Sequence, residues 1–161
     1  PVGAYSSADP AAVTPGSGNL LTREGLTSFR DGFVKKFGSG HFLGGTIYSA
    51  SATVKVPIKG DDRHSQTWYY NGGFGSEPTN GGRNEDESVA DLSSVNVNAL
   101  MDALKRAPDE LGVNNVVLTF VLFERRNRGL CMSVYVSDAR GHIGYWTMKL
   151  DGTTVTKFAY N

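Results

Sequence analysis

Apolar and polar positions in the last third of the chain follow the pattern of strands. Residues 116–123 read Val-Val-Leu-Thr-Phe-Val-Leu-Phe, a nearly unbroken apolar run rich in β-branched and aromatic side chains. Bounded by polar residues, such a run predicts a central strand covered on both faces. The chain turns at Arg125-Arg126-Asn127-Arg128-Gly129. Residues 130–136 then place Leu130, Met132, Val134 and Val136 on one face and Cys131, Ser133 and Tyr135 on the other. A second turn follows at Ser137-Asp138-Ala139-Arg140-Gly141. Residues 143–150 group Trp146, Met148 and Leu150 against Ile143, Tyr145 and Thr147. Asp151-Gly152 predicts a two-residue type I′ hairpin turn, in which both central residues take positive φ. Residues 153–160 close a four-stranded meander.

The front half opens on a helix signal. Thr22 can cap, with Leu21 and Leu26 at the two positions of a hydrophobic staple. Leu26, Phe29, Phe33 and Phe37 recur at helical spacing, and Gly38 is placed to end the helix. Strands are predicted over 42–49, 52–58 and 66–71. Val54, Val56 and Ile58 share a face, and Pro57 points to an edge position or a bulge. Later, Asn96 repeats the cap with Val95 and Leu100 as the staple. Leu100, Leu104 and Ala107 form the buried stripe, and Pro108 is expected to interrupt this helix and open a short extra turn through Leu111, ended by Gly112.

The two halves match in outline. Val54, Val56 and Ile58 fall opposite Met132, Val134 and Val136, and His64 and Trp68 fall opposite His142 and Trp146 at one constant separation. The expected fold is therefore α+β: two helix-plus-antiparallel-meander repeats forming a sheet of about seven strands, with both helices on one face. Residues 1–19 read as a disordered linker and 20–161 as a single domain. Its two repeats, 20–73 and 92–161, are joined by a long loop over 74–91.

Composition narrows the function classes. Lys plus Arg and Asp plus Glu number 16 each in 161 residues, and the sequence pI is about 7.3. No bulk attraction to nucleic acid or anionic membrane is expected. No apolar run reaches the roughly 20 residues of a membrane span. The single cysteine, Cys131, excludes an intrachain disulfide and a cysteine-based zinc site, and its place in the meander suits a buried inert thiol. The chain starts at Pro1, and its first residues are rich in Ala, Ser, Gly and Pro. That composition suits a linker behind a removed signal peptide or anchor, and equally a tail on a cytoplasmic protein. Export is the expectation.

Catalytic signatures are missing. His41, His64 and His142 form no metal-ligand pair, and no cofactor or metal is expected. Ser39 lies in a helix-ending loop without a nucleophile elbow. Asn71-Gly72-Gly73-Phe74-Gly75 and Asn80-Gly81-Gly82 lack the residues of a phosphate loop and read as flexible. Glu85, Asp86, Glu87 and Asp91 lack calcium-loop spacing and read as a solvated acidic run. Two features suit recognition. Arg125, Arg126 and Arg128 stand at a hairpin tip, where arginine can grip phosphate or carboxylate. Trp68, Tyr69, Tyr70, Tyr145 and Trp146 concentrate on the two matching strands. Alternation sends one set under the helices and the other to the open sheet face.

Leu20-Leu21-Thr22…Gly25-Leu26, Trp68-Tyr69-Tyr70-Asn71-Gly72-Gly73, Asp91-Leu92, Ala107-Pro108…Leu111-Gly112-Val113 and Val134-Tyr135-Val136-Ser137-Asp138 together carry a resemblance. In order and spacing they resemble an uncharacterised exported domain of actinobacteria. It occurs in lipoprotein-like chains and as the extracellular part of some receptor-like serine/threonine kinases. The resemblance implies an envelope location and a sensing or binding role, and supplies no catalytic residues. The kinase catalytic motifs are themselves absent from this chain. The tandem plan is also similar in outline to secreted β-lactamase inhibitor proteins, whose paired cysteines this chain lacks.

The expectation is a non-catalytic exported binding or sensing domain for a partner protein, peptide or cell-envelope ligand. Its expected contacts are Trp68, Tyr70, Tyr145, Trp146, Arg125, Arg126 and Arg128. The alternatives are a small secreted hydrolase using His64 or His142, and a secreted inhibitor acting through the arginine hairpin or the loop before residue 92. The oligomeric state is left open.

Overall fold

Both helices begin at the residues whose side chains can cap them. In the computed structural model, which describes residues 18–126 and 129–160, helix α1 spans Arg23–Phe37 and helix α2 spans Val97–Leu111. Most of the expected linker and Arg128 lie outside the described residues. The Thr22 hydroxyl accepts the N–H of Gly25 at 3.1 Å, and Asn96 Oδ1 accepts the N–H of Ala99 at 3.0 Å. Each bond satisfies one of the amides that the first turn leaves free. Gly38 (φ 76°) ends α1 by donating to the Val34 carbonyl, 2.8 Å away.

The helices bury their apolar stripes against one face of an antiparallel sheet. Its strands are β2 (Gly44–Ile47), β3 (Ala52–Ile58), β4 (Asp61–Tyr70), β5 (Thr79–Gly82), β7 (Val116–Arg126), β8 (Gly129–Asp138), β9 (Ile143–Lys149) and β10 (Thr154–Phe158). The order is β10-β9-β8-β7-β2-β3-β4-β5, so the chain steps outward from the centre in both halves. A separate pair joins β1 (His41–Phe42) to β6 (Ala90–Asp91). Phe29 and Phe33 of α1, Leu100 and Ala103 of α2, Val54 and Val56 of β3, and Met132, Val134 and Val136 of β8 belong to one buried core. Each large side chain so buried contributes roughly 1.5–3 kcal/mol.

The class is α+β, and several details differ from expectation. The sheet has eight strands, because β5 lies inside the stretch read as a loop over 74–91, and β6 lies there too. Asn80 and Gly81 have no apolar side chain to bury, so β5 carries no hydrophobic signal. It is held by backbone pairing to β4 and by Ser65 Oγ, which donates to the Gly82 carbonyl at 3.0 Å. The glycines at 71–75 are not a slack loop. They form a tight return that inserts Phe74 among Phe29, Phe33, Phe37 and Tyr70, with ring centroids 5.0–6.1 Å apart. The strand expected over 42–49 is divided at Leu43 into β1 and β2.

Pro108 does not break α2. It stands in the last turn, where the missing amide forfeits one intrahelical bond. The exit is closed by Gly112 N–H to the Asp109 carbonyl (3.3 Å) and Val113 N–H to the Pro108 carbonyl (3.0 Å). Pro57 lies in an interior strand, at a register shift beside Ile58, so the bulge holds and the edge does not. The run at 116–123 is central, but the helices cover only one of its faces: Val121 and Phe123 are buried there, while Phe120 and Leu122 on the other face are half-buried.

Asp151-Gly152 is not a type I′ turn, since Asp151 keeps negative φ while Gly152 has φ 96°. Gly152 N–H donates to the Lys149 carbonyl at 3.0 Å and Lys149 N–H to the Thr153 carbonyl at 2.9 Å, the pattern of a type I turn followed by a left-handed residue. The turn holds the start of α2: Asn96 N–H donates to the Leu150 carbonyl (2.8 Å) and its Nδ2 to the Asp151 carbonyl (3.0 Å). A Cβ on Gly152 would stand 2.5 Å from the Ala99 Cβ. Gly152→Ala is therefore expected to cost about 2 kcal/mol in urea unfolding. Gly73→Ala, with no heavy atom within 4 Å of the new methyl, should stay near wild type; equal losses would remove this account of the turn.

Candidate functional site

The covered face takes most of the aromatic residues expected to bind. Tyr70 is 5% exposed and meets Phe29 edge-on at 5.0 Å, and Trp68 packs on Phe37 at 5.6 Å beneath the Lys36 ammonium. Trp146 is likewise 5% exposed, beneath Lys157 Nζ at 4.0 Å, and its Nε1 donates to Thr154 Oγ1 at 3.0 Å. The alternation of the strands turns these three side chains toward the helices, Tyr70 and Trp146 into the core and Trp68 half-buried against it. Tyr145 alone of that group faces the open side.

On the open side Tyr145 belongs to a row that the sequence does not announce. Strand register places Phe158 of β10 opposite Tyr145 of β9, Tyr145 opposite Tyr135 of β8, and Tyr135 opposite Phe120 of β7. Tyr48, just past β2, completes the row. Successive ring centroids lie 5.3, 4.9, 5.1 and 5.2 Å apart from Tyr48 to Phe158. This is close to the spacing of neighbouring strands. Phe120 and Tyr135 are parallel within 4° and Tyr145 and Phe158 within 10°. In these two pairs the rings cover one another's faces. Phe158, at the edge of the sheet and 56% exposed, leaves one ring face free.

The arginine hairpin and the aromatic row meet. Arg126 reaches back over the Tyr145 ring, its Cζ 5.4 Å from the centroid. Its Nε and Nη2 donate to Glu124 Oε1 at 3.1 and 2.8 Å, which fixes the guanidinium in place. Beside the rings on the same face, Ser133 Oγ and Thr147 Oγ1 share a buried 2.7 Å hydrogen bond. Burial raises the Tyr135 hydroxyl above its ordinary pKa, assisted by the nearby Glu124 charge. At the end of the sheet, next to Arg126, lies a depression of about 730 Å³ lined by Leu130 and Leu150, which share the covered face with Met132 and Met148, by Cys131 and Lys149 of the open face, and by Val155 and Asp151. Burial pushes the Cys131 thiol up, so it forms a neutral wall. Arg125 alternates to the other face from Arg126; its charge, with the Lys55 hydrogen bonds, helps to hold the Glu87 carboxyl low against the opposing effect of burial.

The histidines form two similar turns. Asp61 Oδ1 accepts the N–H groups of Arg63 and His64 at 2.9 and 3.1 Å, while its Oδ2 meets His64 Nδ1 at 2.8 Å. Asp138 treats Arg140 and His142 in the same way, at 2.9 and 3.0 Å, with its Oδ2 2.9 Å from His142 Nδ1. Because β2 and β7 are antiparallel, the two hairpins point to opposite ends of the sheet and cannot share one site. Glu87 leaves the acidic run to bond Lys55 Nζ at 2.8 and 2.9 Å, and Asp91 Oδ1 accepts from Ser93. Among the described residues no three His, Cys, Asp or Glu side chains gather as metal ligands would.

Comparison with known proteins leaves the activity open. No family model matches the chain, and no solved structure does. An uncharacterised protein of Mycobacterium tuberculosis, strain H37Rv, is 28% identical over 151 residues, which is 89% of this chain and 52% of the relative. Its counterpart in strain CDC 1551 matches to the same extent. The chain thus spans about half the length of the curated relatives it matches.

Sequence reasoning named Tyr145 and Arg126 as separate candidates, and missed Tyr48, Phe120, Tyr135, Phe158, Glu124 and Lys149. The signal was register: once the hairpin turns are placed, Phe120, Tyr135 and Tyr145 fall opposite one another. The Asp138 turn makes a prediction. Removal from water opposes its charge, but the N–H groups of His142 and Arg140 and the His142 ring outweigh it and lower the carboxyl. A folded-state pKa below the unfolded one stabilises fully above the ordinary carboxylate range and ceases to do so as pH falls through the lowered value. Wild-type stability is expected to fall below about pH 4. In Asp138→Asn that acid limb should be shallower in denaturant melts; an unchanged slope would show that the turn contributes none of it.

Proposed function

We propose that this chain is a non-catalytic, exported binding domain that recognises a partner protein, peptide or cell-envelope ligand through the open face of the β7–β10 half. The observation that carries this reading is the aromatic row from Tyr48 to Phe158 on the face left bare by both helices. The row beside it, Thr156, Thr147, Ser133, Leu122, Thr46, Thr53 and Tyr69, holds no charge. Charged groups begin only at the border, with Lys149, Glu124, Arg126 and Lys55. Tyrosine and phenylalanine at the centre with charge at the rim is the composition of a recognition surface. The envelope location rests on the resemblance to exported actinobacterial domains, and both curated relatives are mycobacterial.

The two halves are read as diverged repeats of one helix-plus-meander unit. Support comes from the strand order, which runs outward from the centre in both directions, and from the matched Trp68 and Trp146, each beneath a lysine. The Asp–His turns correspond as well. A second reading, a small hydrolase, draws on those turns: a carboxylate orients His142 as it would a general base.

The test is capture from an envelope extract by three folded proteins. They are the wild type, a Tyr145→Ser/Phe158→Ser double variant, and Val34→Ser on the solvent side of α1. A partner held by the wild type and Val34→Ser but lost by the double variant is the expected result. A partner kept by the double variant would place recognition elsewhere, and a hydrolytic activity abolished in His142→Gln would replace this reading with the second.

A further inference from the structure

The sheet ends on one side at β10, whose five residues are all exposed. The direction of its backbone groups follows from the register of the strands beside it. Asp138 N–H donates to the His142 carbonyl at 3.1 Å, and the β8–β9 register runs from that pair without a shift to Val134–Trp146. Hydrogen-bonded pairs alternate with unbonded ones in an antiparallel ladder, so Trp146 directs its N–H and C=O toward β8. The Trp146–Lys157 pair is therefore an unbonded one, and the N–H and C=O of Lys157 point out from the sheet edge. No described strand lies there to take them.

The register shift between Thr154 and Thr156 interrupts this edge, which leaves a regular ladder over Thr156, Lys157 and Phe158. Past it, the Tyr160 N–H donates to the Leu111 carbonyl at 2.9 Å and anchors the far end of the strand. On the open face of the short ladder stands Phe158, 56% exposed, with Tyr145 stacked on its inner side. Neighbouring rings of the row are 4.9 to 5.3 Å apart, and neighbouring strands lie about 4.8 Å apart. A strand added to β10 would carry its own ring into the next position of the row.

Charge selects among the occupants. Lys157 is the one charged side chain of β10, and its ammonium already meets Glu110 Oε2 at 3.2 Å over the Trp146 ring. A segment laid against the edge needs no charge to answer it. A second copy paired antiparallel through β10 would set two Lys157 ammonium groups diagonally across the join, and like charges so placed are destabilising. The opposite edge, β5, offers no apolar side chain to a partner.

We propose that β10 takes up an extended, uncharged peptide segment as an antiparallel ninth strand. One residue of the segment exchanges both backbone hydrogen bonds with Lys157, and the residue before it lays an aromatic ring on Phe158. The proposal rests on the reading of the open face as the binding face, and it names a partner class for it.

The experiment is an amide NMR titration of the whole chain with acetyl-Thr-Tyr-Val-Thr-amide, whose Tyr is to face Phe158 and whose Val is to pair with Lys157. Shifts are expected at Tyr145, Thr156, Lys157 and Phe158. N-methylation of the peptide Val removes the donor to the Lys157 carbonyl and should weaken binding about fivefold. N-methylation of the Thr after it, whose N–H points away from β10, should leave binding unchanged. Ala in place of the peptide Tyr, or Phe158→Ser in the protein, should weaken it by about the same factor. Equal effects of the two N-methylations, or shifts confined to β5 or to other residues, would overturn the proposal. So would a dimer in light scattering that Phe158→Ser dissolves, since a second copy would then hold the edge. If the peptide fails while the Tyr145→Ser/Phe158→Ser variant still loses its envelope partner, only the strand addition falls. If that variant keeps every partner, the reading of the face falls instead.

Discussion

The structure depends on the pairing of β2 with β7. These two strands lie at the middle of the sheet, each the first strand after its half's helix, apart from the short β1, and their antiparallel contact is what makes one sheet of eight strands. β2 is only four residues long, Gly44–Ile47, and is hydrogen-bonded on both sides, to β3 and β7. Close approach is possible because Gly45 has no side chain: a Cβ there would collide with the Thr53 carbonyl oxygen. From this contact follow the outward order of the remaining strands, the continuous core under both helices, and the opposite directions of the two histidine hairpins.

The same pairing decides what the open face offers. With β2 beside β7, Tyr48 comes into line with Phe120, and the row of rings extends from the centre of the sheet to the β10 edge. Contact between neighbouring rings stabilises each cross-strand pair by about 0.2–1 kcal/mol, and in the two parallel pairs it also covers ring faces. The inner part of the row is therefore half-buried, and the row's most exposed ring is Phe158 at the sheet edge. Arg126, pinned by Glu124, joins this surface by lying over Tyr145. Two features that stand apart along the chain thus become one surface.

Much of the architecture was legible because its causes are local. Thr22 and Asn96 cap the helices through bonds to residues three positions on, and the Leu26, Phe29 and Phe33 stripe is a periodicity of the helix itself. The strands of the last third were legible through alternation. Less legible were features whose causes are distant. β5 has no apolar pattern because its stability comes from pairing with β4. Phe74 sits among glycines and polar residues, yet its ring fills a gap between α1 and Tyr70. Pro108 reads as a breaker only if the last turn is judged without the cap that closes it. Among the candidate contacts, Trp68, Tyr70 and Trp146 went to the core because they share parity with Val54 and Val134, their partners in register.

The sequence by itself determined the α+β class, the two helices with their ends, the core strands and the turn positions, since hydrophobic period, capping and glycine placement act within a few residues of one another. It also determined that charge is balanced and that no run of the chain carries a recognisable catalytic signature. Only the tertiary structure decided which aromatic side chains face solvent, which cations are already paired, and that Arg126 lies over Tyr145. The reason is that register between strands far apart in the chain is set by the packing of the whole sheet under the helices. A one-residue change of that register would send every ring of the row to the other face.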